Sequence, residues 1–235
     1  MAFSGTFPYL NTERLRKQAR ALHESPRWRK EMLRIFVALV LSDAFKQALA
    51  EATAGLRAGR ADLRWIKPDG MHLTLAFLGE LDQAGLSLAT EAARRTAAGG
   101  SAFVLEADGL LALPRRGAAK VLAARFSAGG NEAEALARCL EDELEALGRE
   151  TGRPFRERER RAFKAHATLA RSTRTAAVLT QEEMAAPVRA RTTIETLGVF
   201  ESRLDRSGAR YGLLAEFPLR GTDIPGALLP HRNYT

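Results

Sequence analysis

Residues 72–75 read His-Leu-Thr-Leu and residues 166–169 read His-Ala-Thr-Leu, so one four-residue pattern occurs twice, 94 residues apart. Each copy lies in an apolar stretch typical of a β-strand. Alternate side chains of a strand point to opposite faces, so the histidine and threonine of each copy share one face. In the first copy we expect Leu73, Leu75 and Phe77 to share the other, apolar face. Two related lobes would explain the repetition.

The elements around these two stretches predict an α+β protein rather than one parallel sheet, because hairpin turns favour antiparallel pairing. Apolar and β-branched runs predict strands at residues 33–41, 63–66, 71–78, 103–113, 121–126, 165–170, 193–201 and 210–219. Capping residues and apolar spacing predict helices from Ser42-Asp43 to the region 55–59, at 83–98, and from an N-cap at Asn131 to Gly148. We therefore expect an α+β fold in which antiparallel strands form two related lobes.

Charge sets the first 31 residues apart from the rest of the chain. The protein carries a net charge of +8, and residues 1–31 alone contribute +4. This stretch has too few apolar residues to form its own core, so we interpret residues 1–31 as a basic N-terminal extension. We expect a bilobal domain at 32–220, the range over which the family resemblance given below extends, and a C-terminal tail at 221–235. A basic surface attracts polyanions such as RNA, although arginine-rich codon usage would produce the same balance.

Composition excludes several classes of protein. The longest apolar run, 35–41, is far shorter than the roughly 20 residues that cross a bilayer, so we expect no membrane association. The single cysteine, Cys139, can form neither an intrachain disulfide nor a cysteine-based zinc cluster. The first 30 residues contain no apolar core of a secretory signal. We expect a cytoplasmic monomer.

The repeated pattern is the part of the sequence that indicates chemistry. A single His-x-Thr copy is commonly structural, but two of the four histidines, His72 and His166, occupy matching positions. Two imidazoles can act as general acid and general base, and the hydroxyls of Thr74 and Thr168 can donate hydrogen bonds to phosphate oxygens. This set predicts hydrolysis of a ribose 2',3'-cyclic phosphate with no metal and no cofactor.

At these residues the sequence resembles the 2H phosphoesterases, and among them the RNA 2',3'-cyclic phosphodiesterases, historically called 2'-5' RNA ligases. The resemblance extends over residues 32–220. It rests on the strand at 33–38, on Arg64-Trp65-Ile66-Lys67-Pro68 before the first motif, on Phe77-Leu78-Gly79-Glu80 after it, on His166-Ala167-Thr168-Leu169-Ala170-Arg171, and on the closing hairpin at 200–211.

The resemblance implies an α+β fold of two pseudo-symmetric lobes of antiparallel sheet, with outer helices, around a central cleft. It also implies a reaction that opens the cyclic phosphate to leave a 2'-phosphate. By analogy, His166 would activate water and His72 would protonate the departing 3' oxygen, although the residues themselves do not fix these two roles. Arg171 and Lys164 are candidate phosphate-binding residues, and a solvated strand-end charge is the alternative for both.

Several alternatives remain open at this stage. The same residues could catalyse reversible 2'-5' RNA ligation, hydrolyse a small cyclic nucleotide, or belong to a non-catalytic RNA-binding module. The arginines of the connector at 153–161 could guide RNA or form an ordinary exposed segment. Trp65, Phe155 and Tyr211 could stack on bases, and for Trp65 core packing is the favoured alternative.

Overall fold

The computed structural model describes residues 32–114, 117–153, 155–159, 161–173, 177–205 and 208–221. The predicted extension at 1–31 lies outside the described residues. So do residues 222–235 of the predicted tail and residues 206–207 of the closing hairpin.

The first half of the described chain alternates strands with helices, as the sequence predicts. The first helix begins after Ser42, whose hydroxyl accepts a hydrogen bond from the backbone N–H of Phe45 at 3.3 Å. The order is β1 (Leu33–Leu39), α1 (Asp43–Ala52), α2 (Ala54–Gly59), β2 (Leu63–Trp65), a 3-10 turn (Pro68–Gly70), β3 (Leu73–Leu81) and α3 (Gln83–Gly99).

The second half differs from the prediction in several places, among them a short helix at Gln181–Met184, which the sequence patterns did not predict, and the strand of the second motif, which begins at Ala167 rather than at residue 165. Its elements are β4 (Phe103–Leu113), β5 (Val121–Ala128), α4 (Gly130–Thr151), β6 (Ala167–Ser172), α5 (Gln181–Met184), β7 (Arg189–Ile194), β8 (Thr196–Asp205) and β9 (Gly208–Pro218). The strand predicted at 193–201 is therefore two strands, β7 and β8, which belong to different sheets.

The predicted N-cap at Asn131 is also wrong, because α4 begins two residues earlier than that cap requires. Its N-cap is Gly129, which has a left-handed φ of +81°. A Cβ at this position would lie 2.5 Å from the carbonyl oxygen of Val104, so both the backbone conformation and the space require glycine.

Two antiparallel sheets form the framework. The first has the strand order β3-β1-β8-β9, and the second has the order β2-β6-β5-β4-β7. The orders correspond when β3 is matched with β6, β1 with β5, β8 with β4, and β9 with β7. In both sheets the strand that follows a motif histidine pairs with a strand that leads into a helix. β3 pairs with β1, which precedes α1, and β6 pairs with β5, which precedes α4. The predicted pseudo-symmetric two-sheet fold is confirmed.

β2 breaks this correspondence. It comes from the first half of the chain, yet it pairs with β6 in the second sheet, where Arg64 lies opposite Arg171. In the first sheet the matching position beside β3 has no strand among the described residues, so β3 is an edge strand. The second sheet thus presents one more strand beside its motif than the first sheet does.

The helices cover the sheets and bury one continuous apolar core. α3 and α4 pack against each other, and both also contact β3. Leu140 of α4 and Leu169 of β6 are fully buried, and burial of one leucine side chain contributes about 2 kcal/mol. None of the described helices is long and apolar enough to span a membrane.

Candidate active site

The two motif histidines make the same hydrogen bond. Nδ1 of His72 lies 2.9 Å from the carbonyl oxygen of Gly70, and Nδ1 of His166 lies 2.7 Å from that of Lys164. A carbonyl oxygen can only accept, so Nδ1–H is the donor in both cases. Each ring is therefore fixed by the residue two positions before it, and Nε2 is left as the nitrogen that can exchange a proton.

A β-bulge changes the direction of side chains in β3. Thr74 pairs with Ala38, whereas Ala76 pairs with the preceding residue of β1, Val37, so β3 contains one extra residue between them. Alternation is interrupted there, and Phe77 returns to the face of Thr74. The predicted placement of Phe77 on the apolar face with Leu73 is wrong, and 55% of its surface is exposed.

β6 contains the same bulge at the same place. Thr168 pairs with Ala123, and Ala170 pairs with the preceding residue of β5, Leu122. The position that returns to the threonine face is Arg171, which is the counterpart of Phe77. The repeated unit therefore extends beyond four residues, and its sixth position is an aromatic ring in one sheet and a guanidinium group in the other.

The two motif threonines occupy equivalent and uncrowded positions. Thr74 and Thr168 are half-buried, and their cross-strand partners are the small, fully buried Ala38 and Ala123. Within the described part of the chain neither hydroxyl has a hydrogen-bond partner. Both hydroxyls are therefore available to a ligand.

Aromatic rings surround His72. Its ring centroid lies 4.7 Å from that of Phe36, 4.8 Å from that of Tyr211 in an edge arrangement, and 6.2 Å from that of Phe200. Phe77 continues this surface, with its ring 5.7 Å from that of Phe36. Sequence analysis missed Phe36 and Phe77 as site residues, and only the bulge brings Phe77 to this face.

Burial in this surface lowers the pKa of His72 to about 4, because the charged imidazolium loses its hydration. The hydrogen bond to Gly70 opposes this effect, while the positive charges of Arg171 and His166 add to it. These effects place both residues in the electrostatic neighbourhood of His72. β3 and β6 also contact each other although they belong to different sheets. The fold thus brings the two motifs together.

His166 has a different environment. Among the described aromatic side chains none lies against its imidazole. Arg171 and Lys164 lie near it in the chain, and no described carboxylate forms an ion pair with either. One motif is consequently enclosed by aromatic rings, and the other is accompanied by cations.

The connector arginines are paired with acidic side chains, which favours the structural interpretation over an RNA guide. Arg160 lies outside the described residues. The other four form the pairs Arg153 with Asp82, Arg156 with Glu141, Arg158 with Asp142 and Arg161 with Glu159.

The three aromatic residues considered for base stacking lie in different environments. Trp65 packs against the core, with the guanidinium of Arg57 5.5 Å above its ring. Phe155 borders two surface cavities of about 280 and about 530 Å³, and neither is lined by His72 or His166. Of the three, Tyr211 is the one that contacts a motif histidine.

No group of three or more metal-ligating side chains occurs among the described residues. The proton-exchanging nitrogens, the hydroxyls and Arg171 form a set suited to acid–base chemistry on an anion. A two-sheet α+β fold with paired His-x-Thr motifs is the class of protein that these observations define.

Comparison with known proteins agrees with this class. Residues 39–122 match the family model described as LigT like Phosphoesterase. The crystal structure of TT0787 from Thermus thermophilus is 30% identical, has a TM-score of 0.67, and aligns over 81% of this chain and 100% of that one. The apo form of E. coli LigT, 23% identical with a TM-score of 0.63 over 81% of this chain and 99% of that one, shares the fold.

An RNA 2',3'-cyclic phosphodiesterase of Geobacillus stearothermophilus is 27% identical over 210 residues. The match covers 85% of this chain and 63% of that protein. The chain belongs to the LigT-like phosphoesterases, a family of the 2H phosphoesterases.

Proposed function

We propose that this protein hydrolyses RNA 2',3'-cyclic phosphate ends to 2'-phosphomonoesters by metal-free acid–base catalysis with two histidines. The observation that carries the proposal is the repeated hydrogen bond from Nδ1 to a backbone carbonyl, at 2.9 Å for His72 and 2.7 Å for His166. It leaves two Nε2 atoms, one in each motif, for proton transfer. The name of the Geobacillus relative supports the same substrate.

The reaction needs one proton acceptor and one proton donor. The oxygen of water forms a bond to phosphorus as its proton passes to Nε2 of one histidine. The bond between phosphorus and O3' breaks as Nε2 of the other histidine gives its proton to that oxygen. The resemblance assigns the first role to His166 and the second to His72.

The remaining site residues would bind the phosphate and the nucleoside. The free hydroxyls of Thr74 and Thr168 would donate to the non-bridging oxygens, where negative charge accumulates. The fork of Arg171 suits a bidentate contact with the same phosphate, and Lys164 would add positive charge. The exposed ring of Phe77 offers a stacking surface for the terminal base.

The test is an RNA oligonucleotide that ends in a 2',3'-cyclic phosphate, incubated with purified protein in the presence and absence of chelator. We expect a 2'-phosphate product in both conditions. His72→Ala and His166→Ala should each lower the rate by about 10²-fold or more, as for removal of a general acid or base.

His231→Ala serves as the matched control, because it removes a histidine outside the two motifs. Near-normal turnover in either motif variant would refute the two-histidine mechanism. Loss of activity in chelator with recovery on addition of a divalent cation would show that the histidines bind metal. Joining to a 5'-hydroxyl RNA instead of hydrolysis would favour the ligase alternative.

A further inference from the structure

The cations of this protein fall into two groups. Most described arginines on helices and in the connector have an acidic partner, as Arg94 and Arg138 do. Arg64 and Arg171 differ, because no described carboxylate lies within ion-pair distance of either. They are nevertheless direct cross-strand neighbours in the pairing of β2 with β6.

The pairing register shows which face Arg64 occupies. Directly opposite residues of an antiparallel pair point to the same face, so Arg64 shares the face of Arg171. The flanking residue Leu63 is buried, and Trp65 packs against the core, so Arg64 points away from it. Arg171 in turn lies on the face of Thr168, because the bulge of β6 returns it to that side.

Two like charges directly opposite each other destabilise a pair of strands. Here the unfavourable pair joins β6 to β2. β2 is the strand that has no counterpart in the described part of the first sheet. β2 has three residues, and Arg64 is the one that it presents on the cleft side. An anion between or beside the two guanidinium groups would remove the repulsion.

We propose that Arg64 binds a second phosphate of the substrate, the one that links the terminal nucleotide of a single-stranded RNA to its neighbour. This inference rests on the proposed function and names its substrate class as an RNA chain rather than a cyclic mononucleotide. Arg171 contacts the reacting phosphate, and Arg64 extends the anion-binding surface by one strand. Charge-assisted contacts of this kind favour arginine, because its planar fork fits phosphate oxygens.

The test compares two substrates, adenosine 2',3'-cyclic phosphate and the trinucleotide ApApA with a 2',3'-cyclic phosphate end. Only the trinucleotide carries further phosphates. We expect Arg64→Ala to lower the ratio of kcat/KM for the trinucleotide over kcat/KM for the mononucleotide by about 10-fold, chiefly through KM. Arg64→Lys should recover part of that ratio.

Arg138→Ala is the matched control, because Arg138 is 65% exposed on α4 and its removal changes the net charge equally. It should leave the ratio at the wild-type value. Equal losses on both substrates would overturn the proposal, because Arg64 would then act on the reacting phosphate or through Arg171. An unchanged ratio would overturn it as well. The Tm of Arg64→Ala should not fall below that of wild type.

A binding measurement separates this proposal from the proposed function. If wild-type protein hydrolyses neither substrate, the proposed function fails. The second phosphate site can still be tested, by measuring binding of the ApApA trinucleotide that carries a terminal 2'-phosphate. Fluorescence anisotropy across salt concentrations should show that Arg64→Ala lowers the slope of log K against log salt by about 0.7, as for one lost phosphate contact on a single strand. Equal slopes for the two proteins would refute the site.

Discussion

His72 should make the stability of this protein sensitive to mild acid. Its pKa is about 4 in the folded chain, because the ring is buried among Phe36, Phe200 and Tyr211, and it is close to 6.5 in an unfolded chain. Between these values the unfolded state binds a proton that the folded state does not. The free energy of unfolding therefore falls as the pH decreases from 6.5 towards 4.

The magnitude follows from the two pKa values. At about 1.4 kcal/mol for each pKa unit, the full difference amounts to about 3 kcal/mol. Well above pH 6.5 His72 is neutral in both states and contributes no pH dependence. Integration between pH 7 and pH 5 gives a loss of about 2 kcal/mol from His72 alone.

The assay is urea unfolding at pH 7 and at pH 5 for wild type and His72→Asn. Asparagine is neutral at both pH values, and its amide can donate to the Gly70 carbonyl as Nδ1 does at 2.9 Å. Carboxylates titrate alike in both proteins, so their contribution cancels. Wild type should lose about 2 kcal/mol more than the variant, with equal m-values. Parallel losses in the two proteins, or an NMR titration of His72 near pH 6.5, would refute the argument.

Two further predictions concern the hydroxyls and the extension. Thr74→Val and Thr168→Val keep the side-chain shape but remove the unpartnered hydroxyl, so each should lower kcat by about 10-fold, while the serine variants stay near wild type. Thr90→Val is the control, since the Thr90 hydroxyl donates to the Leu86 carbonyl at 2.8 Å within α3. A normal kcat in the Thr74 and Thr168 valine variants would contradict a phosphate contact. A chain that begins at Met32 should keep its turnover number on a short cyclic-phosphate substrate, and any loss of affinity for longer RNA should become smaller at high salt. A truncated protein that is folded but inactive would show that the boundary at residue 31 is wrong.

Most helices and strands could be predicted from the sequence, because capping residues and apolar runs lie within or next to the element that they specify. The strand predicted at 103–113 is β4 residue for residue, and the Ser42 cap begins α1. Pairing partners are long-range, so the strand at Leu63–Trp65 gave no indication that it would join the second sheet. The break at Glu195 between β7 and β8 has the same origin, since those two strands pair with different neighbours.

Strict alternation applies to the centre of the candidate site and fails at its edge for a physical reason. It predicts that each histidine shares a face with its threonine, and both residues precede the bulge. It fails after Thr74, where one extra residue returns Phe77 to the cleft side. A bulge has no reliable sequence signal, although the identical spacing of Phe77 and Arg171 from their histidines becomes informative once the two strands are aligned.

The two halves of the site are equivalent in backbone and unequal in side chains. Phe36 in β1 corresponds by register to Val121 in β5, and Phe77 corresponds to Arg171. The first motif is therefore desolvated and the second is accompanied by cations. A neutral His72 cannot donate a proton, so the role of general acid that the resemblance assigns to it requires a bound phosphate, whose negative charge favours the imidazolium. In the proposed reaction, the asymmetry would couple protonation of His72 to the arrival of substrate.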